Sequence, residues 1–282
     1  MLVQRVLSAV VGIPIISALI LIGGAPYVIA AAAILALGVL EFYAATDPET
    51  SATSPTHPRL RRAAPSMFRQ RMAAFAGSAG VVAMAATAYE GLDELTGAFA
   101  GAVALTFLIL IIRGDVTTGF RDWLWVVGGV AYVGFLGAHL VLLRELADGG
   151  DWVFLAVFST FIADTAAYFV GRAVGSHPIA PAISPGKTVE GGIAGLVAGS
   201  IAVFLIVWVT ALDIDELELV PLAVLLPAVA VVGDLGESLI KRGAGVKDTS
   251  DLVPGHGGFL DRLDSILFTT PLVYYFAIWV VL

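Results

Sequence analysis

The chain contains no cysteine. It can form neither a disulfide nor a thiolate metal site, so any metal it holds must be bound by oxygen or imidazole. Charge is also scarce: 13% of the 282 residues are Asp, Glu, Lys or Arg, against 59% hydrophobic. That balance exceeds what the core of a water-soluble domain of this length can hide, and it places the chain in a bilayer. No fixed-period repeat is present, and no nucleic-acid partner is expected.

Long apolar runs take the place of the missing charge. A helix needs roughly 17 to 25 residues to cross about 30 Å of hydrocarbon. Nine candidates occur, at 6–23, 26–43, 72–89, 95–112, 123–143, 152–170, 191–212, 219–240 and 266–282. The eighth is the least regular, because Pro221 and Pro227 interrupt it and Asp234 and Glu237 lie near its end. The predicted fold is an all-α, polytopic membrane bundle of about nine transmembrane helices. Residues 1–150 form an N-terminal transmembrane region, and 151–282 form a C-terminal region that carries the polar motifs.

Lys and Arg accumulate on the cytoplasmic side of membrane proteins. With the N-terminus inside, fourteen of the fifteen cations fall in cytoplasmic segments, and Arg144 alone lies outside. The opposite loops are acidic: Asp93 and Glu94, then Glu145, Asp148 and Asp151, then Asp213 to Glu218. The net charge of −8 therefore arises largely on the outer side and says little about a ligand. Arg5 and the apolar run after it superficially resemble a signal peptide. Cleavage there would leave an even number of spans and reverse the charge bias, so the first span is expected to stay. Residues 46–71, rich in Pro, Ser, Thr and Arg, read as a flexible cytoplasmic loop. The expected location is the cell membrane, with the polar motifs facing the cytoplasm.

Three polar clusters interrupt the apolar chain, all at the cytoplasmic end of spans or in cytoplasmic loops. The first is Asp164-Thr165-Ala166-Ala167-Tyr168, in which Asp164 and Tyr168 lie one helical turn apart on one face. A carboxylate in hydrocarbon costs roughly 2.5 to 3.5 kcal/mol on insertion scales, so Asp164 should face the bundle interior, water or a cation such as Arg172. The second, Ser184-Pro185-Gly186-Lys187-Thr188-Val189-Glu190, leads into the seventh span. It offers hydroxyls, a point charge and free amides to an anion. Helix capping by Ser or Thr with Glu190 is the plainer reading. The spacing of a nucleotide-hydrolase loop is absent, and no strand is expected ahead of it.

The third cluster runs from Gly233 to Ser265. On a helix, Asp234, Ser238 and Lys241 fall along one stripe, and Glu237 reads as a partner of Lys241 one turn on. The following loop supplies Lys247 and Asp248, a turn at 254–258 with His256, and then Asp261, Arg262 and Asp264. Asp261 and Asp264, at i and i+3, can share a face at the start of the last span. With Asp234 they form a hard, oxygen-rich set of the kind Mg²⁺ prefers.

These residues together resemble the phosphatidate cytidylyltransferase (CDP-diacylglycerol synthase) family. Its C-terminal signature is met by Ser238, Lys241, Arg242, Lys247, Asp248, His256, Gly257, Gly258, Asp261, Arg262 and Asp264. Asp164-Thr165 and Tyr168 resemble a second family block, with Ala166 in place of Gly. Ser184-Pro185 and Lys187-Thr188 resemble a third, with Gly186 and Val189 replacing Lys and Trp. The resemblance covers roughly residues 160–265, and the N-terminal half matches only in hydropathy.

The resemblance implies condensation of CTP with phosphatidate to give CDP-diacylglycerol and pyrophosphate. Bringing two polyanions together requires charge neutralisation and in-line positioning more than a strong base. Asp234 and Asp261 are then the expected principal metal ligands, with Asp264 and Asp164 supporting. Lys241, Arg242, Lys247 and Arg262 would hold phosphates, with Asp248 and His256 beside them in the catalytic set. Ser184, Lys187, Thr188, Ser238 and Tyr168 would contact substrate. The resemblance further implies a K⁺ ion beside Mg²⁺, and a homodimer. A CDP-archaeol synthase or polyprenol kinase is the nearest alternative. An ion-coupled transporter would also keep Asp164 and Asp234 within spans, but it gives no reason for the 256–264 segment.

Overall fold

The computed structural model describes residues 2–47, 67–114, 116–250 and 257–282. Nine helices run through the described residues. They are α1 (Leu2–Ile22), α2 (Gly24–Ala45), α3 (Met67–Thr87) and α4 (Leu92–Arg113), followed by α5 (Gly119–Arg144), α6 (Gly149–Val174), α7 (Val189–Thr210), α8 (Glu216–Ala244) and α9 (Leu260–Val281). Hydrocarbon offers no water to backbone N–H and C=O groups, so apolar runs of this length must satisfy them within a helix.

The all-α polytopic fold expected from the sequence is the one observed. Seven helices, α2 and α4 to α9, are long and apolar enough to cross a membrane, while α1 and α3 are apolar over the shorter stretches Val10–Ile22 and Ala74–Thr87. Two helices depart from regularity. α5 contains a π-helical turn at Val130–Phe135, and α9 breaks between its first turn, Leu260–Leu263, and the helix resuming at Ile266. Most of the loop read at 46–71 lies outside the described residues, and its last five positions already belong to α3.

The sequence suggested an interrupted eighth span, yet α8 is one helix of 29 residues. Pro227 has no N–H to give to the carbonyl four residues back, that of Ala223. Ser200 Oγ of α7 donates to that carbonyl at 2.7 Å, so the proline becomes a point of attachment between helices. Glycines at a four-residue spacing, Gly191, Gly195 and Gly199, line the face that α7 turns to α6. A methyl group at Gly195 would stand 2.9 Å from the Ala163 carbonyl oxygen and 3.0 Å from Ala167 Cβ. Small residues let helix backbones approach where burial between lipid-immersed helices supplies little drive.

Ahead of α7 the chain forms a two-stranded antiparallel hairpin, β1 (Pro178–Ala180) and β2 (Ser184–Thr188). This corrects the expectation that no strand precedes the seventh span. The connection lies outside the apolar runs, and Glu190 gathers its arms. Its Oε2 accepts from the N–H groups of Ser176 at 3.1 Å and His177 at 3.3 Å, and its Oε1 lies 2.6 Å from His177 Nδ1. Thr188 caps α7 by accepting from Gly191 N–H, so the capping reading holds for Thr188 while Glu190 is used elsewhere.

Leu35 of α2, Met84 of α3, Leu143 of α5, Trp152 of α6, Leu222 and Leu226 of α8 and Leu267 of α9 are fully buried and form one core. Ile111, Ile112 and Trp208, on α4 and α7, point outward and are exposed, as lipid-facing side chains should be. Arg144, the one cation assigned to the outer side, donates from Nε to the Ile20 carbonyl at 2.8 Å, where the end of α1 leaves its last carbonyls without helical partners.

Candidate active site

Gly233 allows the site to form. A side chain there would meet the Asp264 carbonyl oxygen at 2.6 Å and Ser265 Cα at 3.0 Å, so α8 and α9 touch backbone to backbone at this level. The contact brings Asp234, Glu237 and Asp264 together, with one oxygen from each within 4.8 Å of the others. Glu237 is buried, and its Oε1 has no hydrogen-bond partner. Asp264 Oδ1 accepts from the Ser265 N–H at 2.7 Å. Asp164 of α6 lies within electrostatic reach of Asp234, Lys187 and Arg262.

Two lysines pair with this acidic group. The hairpin delivers Lys187, whose Nζ lies 2.7 Å from Asp234 Oδ2. Lys241 reaches Glu237 Oε2 at 2.5 Å and Asp261 Oδ1 at 2.7 Å. The other oxygen of Asp261, Oδ2, accepts from Gly258 N–H at 2.8 Å, Thr249 N–H at 3.2 Å and Thr249 Oγ1 at 3.1 Å. Asp261 and Asp264 thus have different surroundings although they stand three residues apart. The irregular turn at Asp264 and Ser265 keeps helical backbone angles, and the Ser265 N–H turns to the Asp264 carboxylate.

The remaining predicted residues lie around this centre. Ser238 is half-buried on α8, and Ser184 opens β2. Arg242 is exposed and braces the two connections, with Nε donating to the Ile183 carbonyl at 3.2 Å. Lys247, Asp248 and Arg262 are exposed at the same end of the bundle. Tyr168 is exposed and accepts from Arg172 Nη1 at 3.2 Å, so Arg172 meets the tyrosine of the first cluster. His256 lies outside the described residues.

Three residues enter the site without having been assigned to it from sequence. Glu237 was legible as the i+4 partner of Lys241, but not as a neighbour of Asp264. Tyr132, within the π-helical turn of α5, has a buried hydroxyl without a hydrogen-bond partner and feels the charges of Glu237, Asp264, Asp234 and Asp261. Only its place in an otherwise apolar run could have signalled it. Glu41 of α2 accepts hydrogen bonds from the α8–α9 connection. An acidic residue inside an apolar run is a functional signal in itself.

Hard carboxylate oxygens, half-buried lysines and exposed cations at one end of a membrane bundle define an integral membrane protein equipped to hold phosphates. The chain belongs to the cytidylyltransferase family, whose profile matches residues 3–280. It is 31% identical to a phosphatidate cytidylyltransferase of Synechocystis over 98% of this chain and 96% of that protein. It is 34% identical to one of Bacillus subtilis over 66% of this chain and 69% of the other, and 35% identical to one of Staphylococcus haemolyticus over 61% and 66% respectively.

Proposed function

We propose that this protein condenses CTP with phosphatidate, giving CDP-diacylglycerol and pyrophosphate. The observation that carries the reading is similarity to a phosphatidate cytidylyltransferase along nearly the whole of both chains. The site supports it: three carboxylates and two lysines in a half-buried cluster suit a reaction between two polyanions at a membrane. An oxygen of the lipid phosphate forms a bond to the α-phosphorus of CTP, and the bond from that phosphorus to the bridging oxygen of pyrophosphate breaks. The attacking oxygen is already anionic near neutral pH, because a phosphomonoester carries about −1.5 to −2 charges. The protein's task is then to orient and to offset charge.

Lys187 and Lys241 stand where they can exchange carboxylate partners for phosphate oxygens, and Lys247, Arg242 and Arg262 add exposed cations nearby. The donor set fits a divalent cation. Asp234, Glu237 and Asp264 offer hard oxygens, and the orphaned Glu237 Oε1 is an acceptor awaiting a partner. Mg²⁺ held by these three residues, with Asp164 near, would neutralise triphosphate charge. In this reading Asp261 holds Lys241 and the preceding loop and is not one of the three metal ligands. The K⁺ ion and the homodimer implied by the family resemblance belong to the same proposal, as does a site facing the cytoplasm, where CTP is available.

The test is pyrophosphate release from CTP by the purified protein in detergent, with and without phosphatidate and Mg²⁺, beside Asp234→Ala. Release that needs both lipid and metal, and is abolished in the variant, is the expected result. A folded protein that releases none under any condition overturns the reading.

A further inference from the structure

Residues of α2 lie more than 200 positions from the α8–α9 connection, yet this helix sends a carboxylate into it. Glu41 is 5% exposed. Its Oε1 accepts from Ser250 Oγ at 2.5 Å, and its Oε2 accepts from the Leu260 N–H at 2.8 Å and, more weakly, from Thr249 Oγ1 at 3.5 Å. The donors stand at the two ends of the connection. Thr249 and Ser250 follow Lys247 and Asp248 directly, while Leu260 opens α9 immediately before Asp261 and Arg262.

The carboxylate suits both ends. The first N–H groups of a helix lack intrahelical partners, and an anion beside them also meets the positive end of the helix dipole. Hydroxyl donors to a carboxylate form short, charge-assisted bonds. The approach is close enough to constrain a neighbour: a side chain at Gly258 would collide with the Glu41 carboxylate and with Thr249 Oγ1. Asp261 grips the same neck from its other side, through Thr249 and Gly258. Burying a carboxylate for packing alone would be costly, because a charge in an apolar interior must be compensated by strong bonds.

We propose that Glu41 is a positioning residue for the cytidylyltransferase reaction. From α2 it fastens the neck of the α8–α9 connection, so that Lys247 on one arm and Arg262 on the other are presented together to the nucleotide. The inference rests on the function proposed above, and it gives the N-terminal helices a part in the reaction.

Glu41→Ala, Glu41→Gln, Glu41→Asp and Ser250→Ala are compared in the full-length protein by three measurements. These are thermal melting in detergent, tryptic cleavage after the exposed Lys247, and steady-state kinetics in CTP. Loss of charge-assisted hydrogen bonds predicts a fall in kcat/KM for CTP of about 10- to 100-fold in Glu41→Ala. The loss should lie mainly in KM, with cleavage after Lys247 faster by a similar factor and slowed again by CTP. Glu41→Gln keeps an acceptor for Leu260 N–H and an amide that can meet Ser250 Oγ, so it should recover most of the loss. Glu41→Asp, one methylene short, should not. Ser250→Ala removes one bond only and should raise KM about 3- to 10-fold with an unchanged melting temperature, which keeps the test intact if Glu41→Ala does not fold. A folded Glu41→Ala with ordinary KM and ordinary cleavage overturns the proposal. So does activity that falls only in proportion to folded protein, or a Ser250→Ala without effect. If the unaltered protein shows no phosphatidate-dependent pyrophosphate release, the functional reading fails instead, and the cleavage rates still report on the clasp.

Discussion

Lys241 holds two carboxylates at once, Glu237 and Asp261, both buried. Taking the cation away leaves two uncompensated charges in a poorly solvated place, a loss of about 3–5 kcal/mol for a buried pair. Asp264 is the opposite case, since it stands beside Asp234 and Glu237 and its Oδ1 accepts from the Ser265 N–H, a bond an amide oxygen can also accept. The two variants should therefore separate stability from catalysis. Lys241→Met should lower the melting temperature in detergent and abolish activity. Asp264→Asn should keep or raise the melting temperature, because it relieves repulsion among carboxylates, while reducing pyrophosphate release by about 10²-fold or more. A melting temperature that falls as far in Asp264→Asn as in Lys241→Met would show that the three acids do not repel one another. At this scale the spacing of Glu237 and Lys241 announced their ion pair, because four residues on a helix make neighbours whatever the fold. The spacing of Asp261 and Asp264 did not reveal that the two would take different partners, Lys241 and the Gly258 N–H for one and the Ser265 N–H for the other.

Glycines and prolines set the distances between the elements that carry these residues. Gly233 lets α8 meet α9 at the level of Asp264, and Gly195 and Gly199 let α7 lie against α6. Overpacking at such contacts costs typically about 1–3 kcal/mol. Gly233→Val should therefore lower stability by about that amount, and it should reduce activity far more than melting, since it pushes Asp234 away from Asp264. Parallel melting and initial-rate measurements on the purified variant check this, and an active Gly233→Val would mean that the close approach is not needed. The helices themselves were legible as apolar runs. The hairpin at 178–188 was not, because two short strands of mixed composition leave no periodic pattern, and what aligns them is the reach of Glu190 to Ser176 and His177.

Across the whole molecule, polar chemistry gathers at one end of the bundle. The connections carrying Lys187 and Lys247 touch through Arg242, and the acids of 213–218 belong to the other end. The natural absence of cysteine makes the orientation directly testable. Ser176→Cys and Asp213→Cys replace exposed residues in the two sets of connections. A membrane-impermeant maleimide should label Asp213→Cys on intact cells and Ser176→Cys only after permeabilisation; the reverse pattern would turn the site away from the cytoplasm.

The sequence alone determined that this chain is a membrane bundle, where its helices run, and the chemical family to which its 238–264 segment points, while its loop charges set an expectation of which segments share a side. Those properties are local or additive: transfer of apolar groups into hydrocarbon sums along a run, and loop charge is read segment by segment. The tertiary structure decided which carboxylates meet. It put Glu237 with Asp234 and Asp264, turned Asp261 toward Lys241, and brought Glu41 from α2 to the neck of a loop more than 200 residues away. Such meetings depend on where separate helices touch and where one of them breaks. Those distances are set by glycine contacts and freed carbonyls acting together, and no single stretch of sequence records them.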